Sequence, residues 1–258
     1  MVRKLALITG ASSGLGVEFA RIAAREQHDL VLVARRLPEL TALAQQLSAA
    51  HGIEARAIAS DLSRATAPQE LFDALQARPP AVLINNAGFG DTGAFLDLPL
   101  ARAIEMVELN CRALMELCWH FGRGMRERKE GRILNIASTA AFQPGPFMAT
   151  YYASKSFVLS FSEALAHELR GSGVTVTAHC PGATATGFAG AAGNDRSRLF
   201  QQQKPADAAT VALHGWRAMQ AGKAVAVQGA LNKLGAFGIR LSPRKLAAGL
   251  AAHLNKPA

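Results

Sequence analysis

Seven short apolar runs, separated by longer mixed segments, are the feature that most constrains the fold of this chain. Apolar runs of this length predict strands buried on both faces of a sheet. The segments between them are long enough for crossover helices. Such alternation predicts an α/β doubly wound fold, in which a parallel sheet is covered by helices on both sides. The predicted strands lie within residues 4–10, 29–35, 54–60, 81–88, 132–138, 174–182 and 224–229.

The alternation of strands and helices continues without a break along the chain. Residues 37–50 show the helical pattern clearly, because apolar residues recur every three or four positions and share one face. No linker, repeat or low-complexity tract interrupts the pattern, and 258 residues fit one α/β domain. We therefore predict a single domain over residues 1–258. The apolar positions of the predicted helix are Leu37, Leu40, Leu43, Ala44 and Leu47.

The segment TGASSGLG, residues 9–16, follows the first predicted strand and opens the first predicted helix. Gly10 lets the backbone turn sharply, while Gly14 and Gly16 let a diphosphate or the sheet approach the backbone closely. The helix start adds unpaired N–H groups and the positive end of a dipole. The spacing is Gly-x3-Gly-x-Gly, not Gly-x-Gly-x-x-Gly, and a glycine-rich turn without a ligand is the alternative. Its placement between strand and helix favours a dinucleotide site.

Two arginines, Arg35 and Arg36, follow the second predicted strand, and the first carboxylate after them is Glu39. Sites selective for NAD carry an acidic residue near this point, whereas arginine accommodates the 2′-phosphate of NADP. The planar guanidinium group matches the geometry of phosphate. The pair therefore predicts NADP(H) in preference to NAD(H), the alternative being two surface arginines without a ligand.

Seven motifs of the chain, taken in order, resemble those of the short-chain dehydrogenase/reductase family in its short single-domain form. The resemblance covers residues 4 to about 188, beyond which that family diverges. It implies a Rossmann-type sheet of seven parallel strands, and reversible hydride transfer between a nicotinamide and an alcohol or carbonyl. The motifs are TGASSGLG at 9–16, SDL at 60–62, NNAG at 85–88, Asn110 in ELNCRAL, Ser138 in NIAST, Tyr151 with Lys155 in TYYASK, and PGATAT at 181–186.

The resemblance also assigns roles to individual residues. Four of them, Asn110, Ser138, Tyr151 and Lys155, correspond to the family's catalytic residues. The other motif positions correspond to contacts with the cofactor, among them Asp61 with the adenine. Together with the two arginines, the predicted cofactor-binding residues are Gly10, Ser12, Ser13, Gly14, Leu15, Gly16, Arg35, Arg36, Asp61, Leu62, Asn86, Ala87, Gly88, Tyr151, Lys155, Pro181, Gly182, Thr184 and Thr186.

The segment TYYASK at 150–155 contains both tyrosines of the chain. Hydride transfer to a ketone requires a proton, and a phenol with an ordinary pKa of about 10 is poorly matched to pH 7. Lowering that pKa by about 3 units needs roughly 4 kcal/mol, much of which a nearby ammonium group can supply. Helical spacing brings Lys155 beside either Tyr151 or Tyr152. The family's YxxxK pattern selects Tyr151 as the acid/base, and we expect Tyr152 to pack or to line the pocket.

Ser138 and Asn110 complete the predicted proton-transfer site. Ser138 ends a predicted strand at the sheet edge where ligands bind, and its hydroxyl can donate to a substrate carbonyl. Asn110 is predicted in the middle of a helix, an unfavourable place for asparagine unless its side chain or backbone is used. The resemblance implies that Asn110 holds a water that links Lys155 to solvent.

The formal net charge is +9, and the last part of the chain supplies most of it. No acidic residue follows Asp207, whereas seven lysines and arginines do. Nucleic acid, anionic lipid and phosphate-bearing substrates are partners for such a surface, and a solvated basic face is the alternative. A nucleic-acid-binding module is disfavoured, because only Trp216 and Phe237 offer aromatic platforms there.

Cysteine and histidine usage indicates neither a disulfide framework nor a metal site. Cys111, Cys118 and Cys180 are odd in number and show no CxxC spacing, which favours buried free thiols in a reducing cytoplasm. The seven histidines are scattered without zinc-ligand spacing, and His179 faces away from its neighbour Cys180 on a strand.

The sequence shows neither a secretory signal nor a membrane span. We predict a cytoplasmic protein without a bound metal.

The segment at 187–204 is rich in glycine and alanine and looks like the mobile loop that covers the substrate in the family. Phe188, Leu199 and Phe200 are the residues that we expect to form an apolar wall there. A plain surface loop is the alternative.

The basic C-terminal segment, about 230–258, contains a predicted helix at 242–254. Ser242 suits the N-cap and Pro243 the first helical position. Three leucines, Leu246, Leu250 and Leu254, fall on one face of this helix. A helix that closes the domain is the favoured interpretation. A basic amphipathic segment at a membrane surface or an acyl-chain pocket is the alternative.

The sequence as a whole predicts an NADPH-dependent oxidoreductase that interconverts a carbonyl and a secondary alcohol. A catalytically idle NADP-binding sensor or scaffold protein is the alternative, which the four intact catalytic positions disfavour. Small ketones, acyl chains with a keto group and steroids are all compatible substrates. The family's helix pairing implies a homodimer or homotetramer.

Overall fold

The seven apolar runs form the strands of one parallel sheet in the computed structural model of the protein, which describes residues 3–188, 192–193 and 205–256. The strands are β1 (Leu5–Thr9), β2 (Asp29–Ala34), β3 (Ala55–Ala59), β4 (Val82–Asn85), β5 (Gly131–Ile136), β6 (Val174–Cys180) and β7 (Val225–Val227). Their order in the sheet is β3-β2-β1-β4-β5-β6-β7, and every neighbouring pair is parallel. The predicted doubly wound α/β fold is thereby confirmed.

Helices occupy the connections between the strands, and two more follow the last strand. They are α1 (Gly14–Arg25), α2 (Leu37–His51), α3 (Ala67–Asp73), α4 (Leu100–Val107), α5 (Leu114–Glu127), α6 (Ala149–Glu168), α7 (Ala208–Gln220), α8 (Ala230–Leu241) and α9 (Arg244–Asn255). A π-helical turn, Glu108–Ala113, joins α4 to α5. In the described part of the chain, no helix combines the length and the apolar character needed to cross a bilayer.

Adjacent residues of the central strands enter different cores. Leu7 of β1 packs in the core that contains Val158 of α6, whereas its neighbour Ile8 packs in the core that contains Trp216 of α7. Both side chains are fully buried. The sheet is therefore covered on both faces, which explains why its strands read as continuous apolar runs.

The strand order reverses between β1 and β4, which are neighbours in the sheet although β2 and β3 come between them in sequence. Crossovers from β1 and from β4 lead away in opposite directions, so a crevice opens beyond their carboxyl ends. Ligands of open α/β sheets bind in such a crevice. The predicted cofactor motifs at 9–16 and 85–88 lie at these two strand ends.

The C-terminal helix differs from its prediction. Ser242 is not its N-cap, because the hydroxyl of Ser242 donates to Gly238 O at 3.0 Å and the residue ends α8. Pro243 precedes the first helical residue, Arg244, rather than occupying the first helical position. The predicted leucine face also points outward, since Leu246 and Leu250 are exposed. The spacing of the leucines predicted a helix here, but such spacing does not indicate whether the leucine face points toward the protein or toward solvent.

A buried histidine of β6 lies next to a half-buried histidine of α7. His179 is fully buried, and its Nε2 lies 3.3 Å from Nδ1 of His214. Burial lowers the pKa of His179 to about 3, and the nearby His214 acts in the same direction. In the unfolded chain the imidazole of His179 therefore binds a proton near pH 6.5, whereas in the folded chain it is neutral at that pH.

Replacing His179 with asparagine should flatten the dependence of stability on pH. The stability that comes from neutral His179 is present above about pH 6.5 and is lost as the pH falls toward 3, at about 1.4 kcal/mol per pH unit. Urea unfolding at pH 7, 6, 5 and 4 would measure the slope. Thr177→Val, on the same strand, serves as the control, because it changes the packing and removes no titratable group. Equal slopes in the wild type and His179→Asn would contradict the prediction.

Candidate active site

The glycine-rich turn connects β1 to α1 with the backbone that the sequence predicts. Gly10 and Gly14 adopt left-handed φ angles of 65° and 58°, and Gly16 is buried in the first turn of α1. Ser13 stands at the N-cap in an extended conformation, and its side chain caps no N–H group. The first turn of α1 contains no acidic residue. The helix start therefore presents backbone donors and a positive dipole end, as an anion site requires.

Both predicted arginines are exposed beside this turn. Arg36 donates from Nη2 to the backbone oxygen of Ser12 and to its hydroxyl, both at 3.2 Å. Arg36 also lies 3.2 Å from Glu39, and Arg35 lies 3.3 Å from Glu105. The guanidinium groups thus stand where the second strand meets the glycine turn, with their charge only partly neutralised by these two carboxylates.

Asp61 follows β3 and remains ionised. Burial opposes its ionisation, but hydrogen bonds from the hydroxyl and N–H of Ser63, at 2.7 and 3.1 Å, and the positive charge of Arg35 lower its pKa. Leu62 is buried in a core, and Leu15 of the glycine turn packs partly buried against the other core. Of these predicted cofactor contacts, Asp61 is held by Ser63 after the end of β3, whereas Leu62 packs in the core.

The end of β4 is tied to the end of β1. The hydroxyl of Thr9 accepts from the N–H groups of Asn86 and Ala87, both at 3.0 Å. The side chain of Asn86 donates to Thr9 O at 3.0 Å and to Gly10 O at 3.2 Å. These bonds hold the motif at 85–88 against the glycine turn. Thr9 opens the predicted motif at 9–16, but its role could not be predicted, because a threonine at a strand end carries no signal of these hydrogen bonds.

Asn110 lies in the π-helical turn rather than in a regular helix, which corrects the prediction. Its Oδ1 accepts from Phe89 N at 3.1 Å, and its Nδ2 donates to Phe89 O at 2.9 Å and to Ser154 Oγ at 3.0 Å. A π turn frees backbone groups and often marks a functional site. Asn110 therefore joins the segment after β4 to helix α6. A Cβ on Gly88 would come within 2.9 Å of its Oδ1.

Lys155 is buried, and its ammonium group has a carbonyl rather than a carboxylate as its partner. Its Nζ donates to Ile136 O at 2.7 Å, at the end of β5. None of the ion pairs between described residues includes it. Burial lowers the pKa of Lys155 to about 8. The Nζ atom lies 5.9 Å from the centre of the Tyr151 ring.

Tyr151 lies close enough to Ser138 for the serine side chain to affect its pKa. Burial raises the pKa of Tyr151 to about 12, and the nearby side chain of Ser138 acts in the opposite direction without overcoming this effect. The predicted lowering of the pKa of Tyr151 is therefore not found in the protein without a cofactor. The reason is that the ammonium group of Lys155 is bonded to Ile136 O, while burial of the Tyr151 side chain disfavours its phenolate form. Ser138 also accepts from Ala140 N at 3.1 Å, which fixes its side chain at the start of a short 3₁₀ turn.

Tyr152 turns away from this cluster. Its hydroxyl donates to Asn255 Oδ1 at 3.1 Å, and Asn255 Nδ2 donates to Pro146 O at 3.1 Å. Asn255 belongs to α9 and is fully buried. Tyr152 thus packs against the C-terminal helix, in agreement with the packing role expected for it. Asn255 was missed, since it lies 103 residues from Tyr152 and no motif marks it.

Apolar side chains border the open side of Tyr151. The ring of Phe188 lies 5.5 Å from that of Tyr151, centre to centre. A Cβ on Gly90 would come within 3.2 to 3.4 Å of Phe188, Tyr151 and Met148, which places these three side chains around one point. The predicted role of Phe188 at the substrate side is compatible with this position. Leu199 and Phe200 lie outside the described residues.

The segment at 181–186 follows β6 and contacts both the residues after β5 and the glycine turn. Pro181 O accepts from Thr139 N at 2.9 Å, next to Ser138. The hydroxyl of Thr184 donates to Gly182 O at 2.9 Å, and Thr186 lies against Gly14, where a Cβ would come within 3.2 Å of it. The structure therefore brings this segment, the glycine turn and the four predicted catalytic residues to one edge of the sheet. Within the described residues, no cluster of histidine, cysteine and carboxylate side chains could hold a metal ion.

Curated relatives match the part of the chain that carries these motifs. Ketoacyl reductase HetN from Nostoc sp. is 39% identical over 181 residues, which are 69% of this chain and 63% of that protein. A very-long-chain 3-oxoacyl-CoA reductase from Pyricularia oryzae is 36% identical over 176 residues, which are 66% of this chain and 53% of that protein. The match therefore covers less than two thirds of the length of either relative.

A solved structure and a family model extend the comparison. A short-chain dehydrogenase from Sphingobium yanoikuyae in complex with NADPH superposes with a TM-score of 0.83 at 32% identity, covering 92% of this chain and 94% of that one. The family model described as short chain dehydrogenase matches residues 4–197, a span that contains every predicted catalytic and cofactor-binding position. The chain therefore belongs to the short-chain dehydrogenase family.

Proposed function

We propose that the protein is an NADPH-dependent oxidoreductase that interconverts a carbonyl and a secondary alcohol, with Tyr151 as the general acid/base. The observation that carries this proposal is the buried ammonium of Lys155, which is held by Ile136 O at 2.7 Å and lies 5.9 Å from the centre of the Tyr151 ring, with Ser138 near the same tyrosine. Each of these groups lies at the sheet edge that also holds the glycine turn. An idle sensor of the cofactor would need none of this arrangement.

Each of the four residues takes a separate part in the proposed reaction. Ser138 donates a hydrogen bond to the substrate oxygen and orients it toward Tyr151. Tyr151, whose phenol holds its proton at neutral pH, gives that proton to the oxygen during reduction. Lys155 stabilises the phenolate that remains, because its ammonium lies 5.9 Å from the ring. Asn110 keeps the turn around Phe89 and Gly88 in place and supports the water that returns a proton.

The residues at the glycine turn fit a dinucleotide with a 2′-phosphate. The uncapped start of α1 suits the diphosphate, and the exposed Arg35 and Arg36 suit the additional phosphate. When bound, the nicotinamide cofactor supplies the hydride for reduction or accepts it in the reverse direction. The NADPH bound by the Sphingobium yanoikuyae relative supports this choice of cofactor.

We propose a 3-oxoacyl chain as the substrate class. The relatives named ketoacyl reductase and very-long-chain 3-oxoacyl-CoA reductase support it. The apolar side chains of Phe188 and Met148 around Tyr151 are suited to hydrocarbon next to the reacting carbonyl.

We also propose a homodimer or homotetramer in a reducing cytoplasm. Exposed apolar residues on α4 and α5 lie among charges of both signs, which suits contact with a second copy. All three cysteines are free, as a reducing compartment requires.

The two tyrosines should respond differently to the loss of their hydroxyl groups. Tyr151→Phe should abolish reduction, since general acid catalysis contributes about 100-fold to 10,000-fold. Tyr152→Phe should retain at least about a tenth of the activity, because its hydroxyl faces Asn255 rather than the site. The loss of NADPH absorbance measures both, and NADPH binding followed by fluorescence verifies that each variant still holds the cofactor. Equal loss of activity in the two variants would show that the assignment is wrong.

The ratio of kcat/KM for NADPH to kcat/KM for NADH tests the cofactor assignment. The wild type should favour NADPH, and Arg35→Ala should lower the ratio about tenfold or more, since a charge-assisted hydrogen bond is lost. Arg36→Ala should do the same and also loosen the turn at Ser12. Arg25→Ala, at the far end of α1, is the control and should leave the ratio unchanged. A wild type that prefers NADH would overturn the assignment.

A panel of carbonyl compounds tests the substrate class. With NADPH present, 3-oxoacyl thioesters should be reduced with kcat/KM at least about tenfold above cyclohexanone and a ketosteroid. Among short, medium and long chains, the longer ones should be reduced more efficiently, since burying each additional methylene contributes about 0.8 kcal/mol. Met148→Ser should weaken the long chain more than the short one, because the lost contact is with hydrocarbon. A steroid or cyclic ketone as the best substrate would refute the proposed class while leaving the reaction type intact.

A further inference from the structure

Helix α8 turns its large apolar side chains away from the protein. Leu231, Leu234, Phe237 and Leu241 are 84, 68, 61 and 75% exposed. Their spacing of three and four residues places them on one face, whereas Ala236 is buried on the opposite face. A helix that packs only on its own domain buries its apolar stripe. The exposed stripe is therefore a candidate contact surface for a partner outside the described residues.

Helix α9 repeats this arrangement. Leu246 and Leu250 are 65 and 57% exposed, whereas Ala247, Ala251 and Asn255 are buried. Small side chains and the bonds of Asn255 hold α9 on the protein. The two exposed leucines take no part in that packing and are therefore accessible to a binding partner.

Basic side chains accompany both exposed faces, and no acidic residue occurs after Asp207. All five lysines and arginines of α8, α9 and the residue after α9 are exposed, and none takes part in an ion pair between described residues. We name these groups together the outer C-terminal surface. It consists of Leu231, Leu234, Phe237, Leu241, Leu246 and Leu250 with Lys233, Arg240, Arg244, Lys245 and Lys256.

We propose that the outer C-terminal surface docks on a bilayer that contains anionic lipids. Exposed leucines next to lysines and arginines match the two parts of such a surface, because acyl chains take the leucines and headgroups attract the cations. The charge on this surface has one sign only, so anionic headgroups complement it along both helices. Docking of this kind places helices in the headgroup region and needs no membrane-spanning segment.

A second copy of the chain fits the same surface poorly. A two-fold symmetric contact brings the same patch of each subunit together, so it would oppose five cations with five cations. The apolar residues of α4 and α5 differ in this respect, since Arg112 of the π-helical turn between these helices is paired with Glu108 and Glu116. Nucleic acid also fits poorly, because aliphatic side chains offer no face on which bases can stack.

Vesicle binding by the full chain tests the proposal. The protein should cosediment with phosphatidylcholine vesicles that contain about 30% phosphatidylglycerol, at least about tenfold more strongly than with pure phosphatidylcholine. Leu234→Ser with Phe237→Ser should reduce this binding at least about tenfold through lost apolar contact. Lys233→Gln with Arg240→Gln and Lys245→Gln should reduce it to a similar degree, and about 0.5 M salt should weaken the wild type.

Matched controls separate this surface from general effects. Leu37→Ser with Leu96→Ser removes two exposed leucines elsewhere, and Arg25→Gln with Arg126→Gln and Lys129→Gln removes the same charge elsewhere. Both control variants should bind as the wild type does. Absence of binding, or equal binding by test and control variants, would overturn the proposal. The proposal would also be overturned if the Leu234→Ser with Phe237→Ser variant changed the oligomeric state in sedimentation velocity while its vesicle binding was unaltered. Charge-dependent binding to a DNA duplex without binding to vesicles would overturn it as well.

Discussion

Parallel pairing of the strands is the constraint on which the site depends. β1, β4, β5 and β6 lie side by side in one direction, so the segments that follow them meet at one edge. Gly10 and Pro181 reach this edge from distant parts of the chain. Thr9 ties two of the strand ends together with one hydroxyl, which accepts from Asn86 N and Ala87 N and donates to Ile84 O. The arrangement of the polar groups thus follows from the order of the apolar strands.

A buried ammonium group imposes a second constraint at this edge. Lys155 has only the carbonyl of Ile136 to compensate its charge among the contacts described, and its pKa falls to about 8. Tyr151 experiences the same dry surroundings, which raise its pKa to about 12. At neutral pH the tyrosine is therefore protonated and the lysine still largely charged. The proposed proton donor is therefore in its protonated form, and the bound cofactor and substrate would have to lower its pKa before it gives up the proton readily.

Most of the fold and of the candidate site could be predicted because both depend on local patterns. Every predicted strand formed, and the motif residues meet where the strands end. The π turn at Asn110 could not be predicted, because a one-residue shift of the apolar pattern cannot be recognised within so short a segment. The contact of Tyr152 with Asn255 joins residues 103 positions apart. The leucines of α9 show periodicity, but periodicity defines a face without giving its direction, and alanines pack against the protein instead.

The last helix lies beyond the residues that the family model matches, yet it contacts the candidate site within them. The match ends at residue 197, yet Asn255 of α9 bonds with Tyr152, next to the proposed acid/base. The same helix exposes Leu246 and Leu250 on its other side. The bond of Asn255 therefore ties the helix that exposes these leucines directly to the helix that carries the proposed acid/base. The variable end of this chain is consequently part of the structure that holds the site, even though none of its residues belongs to the family's motifs.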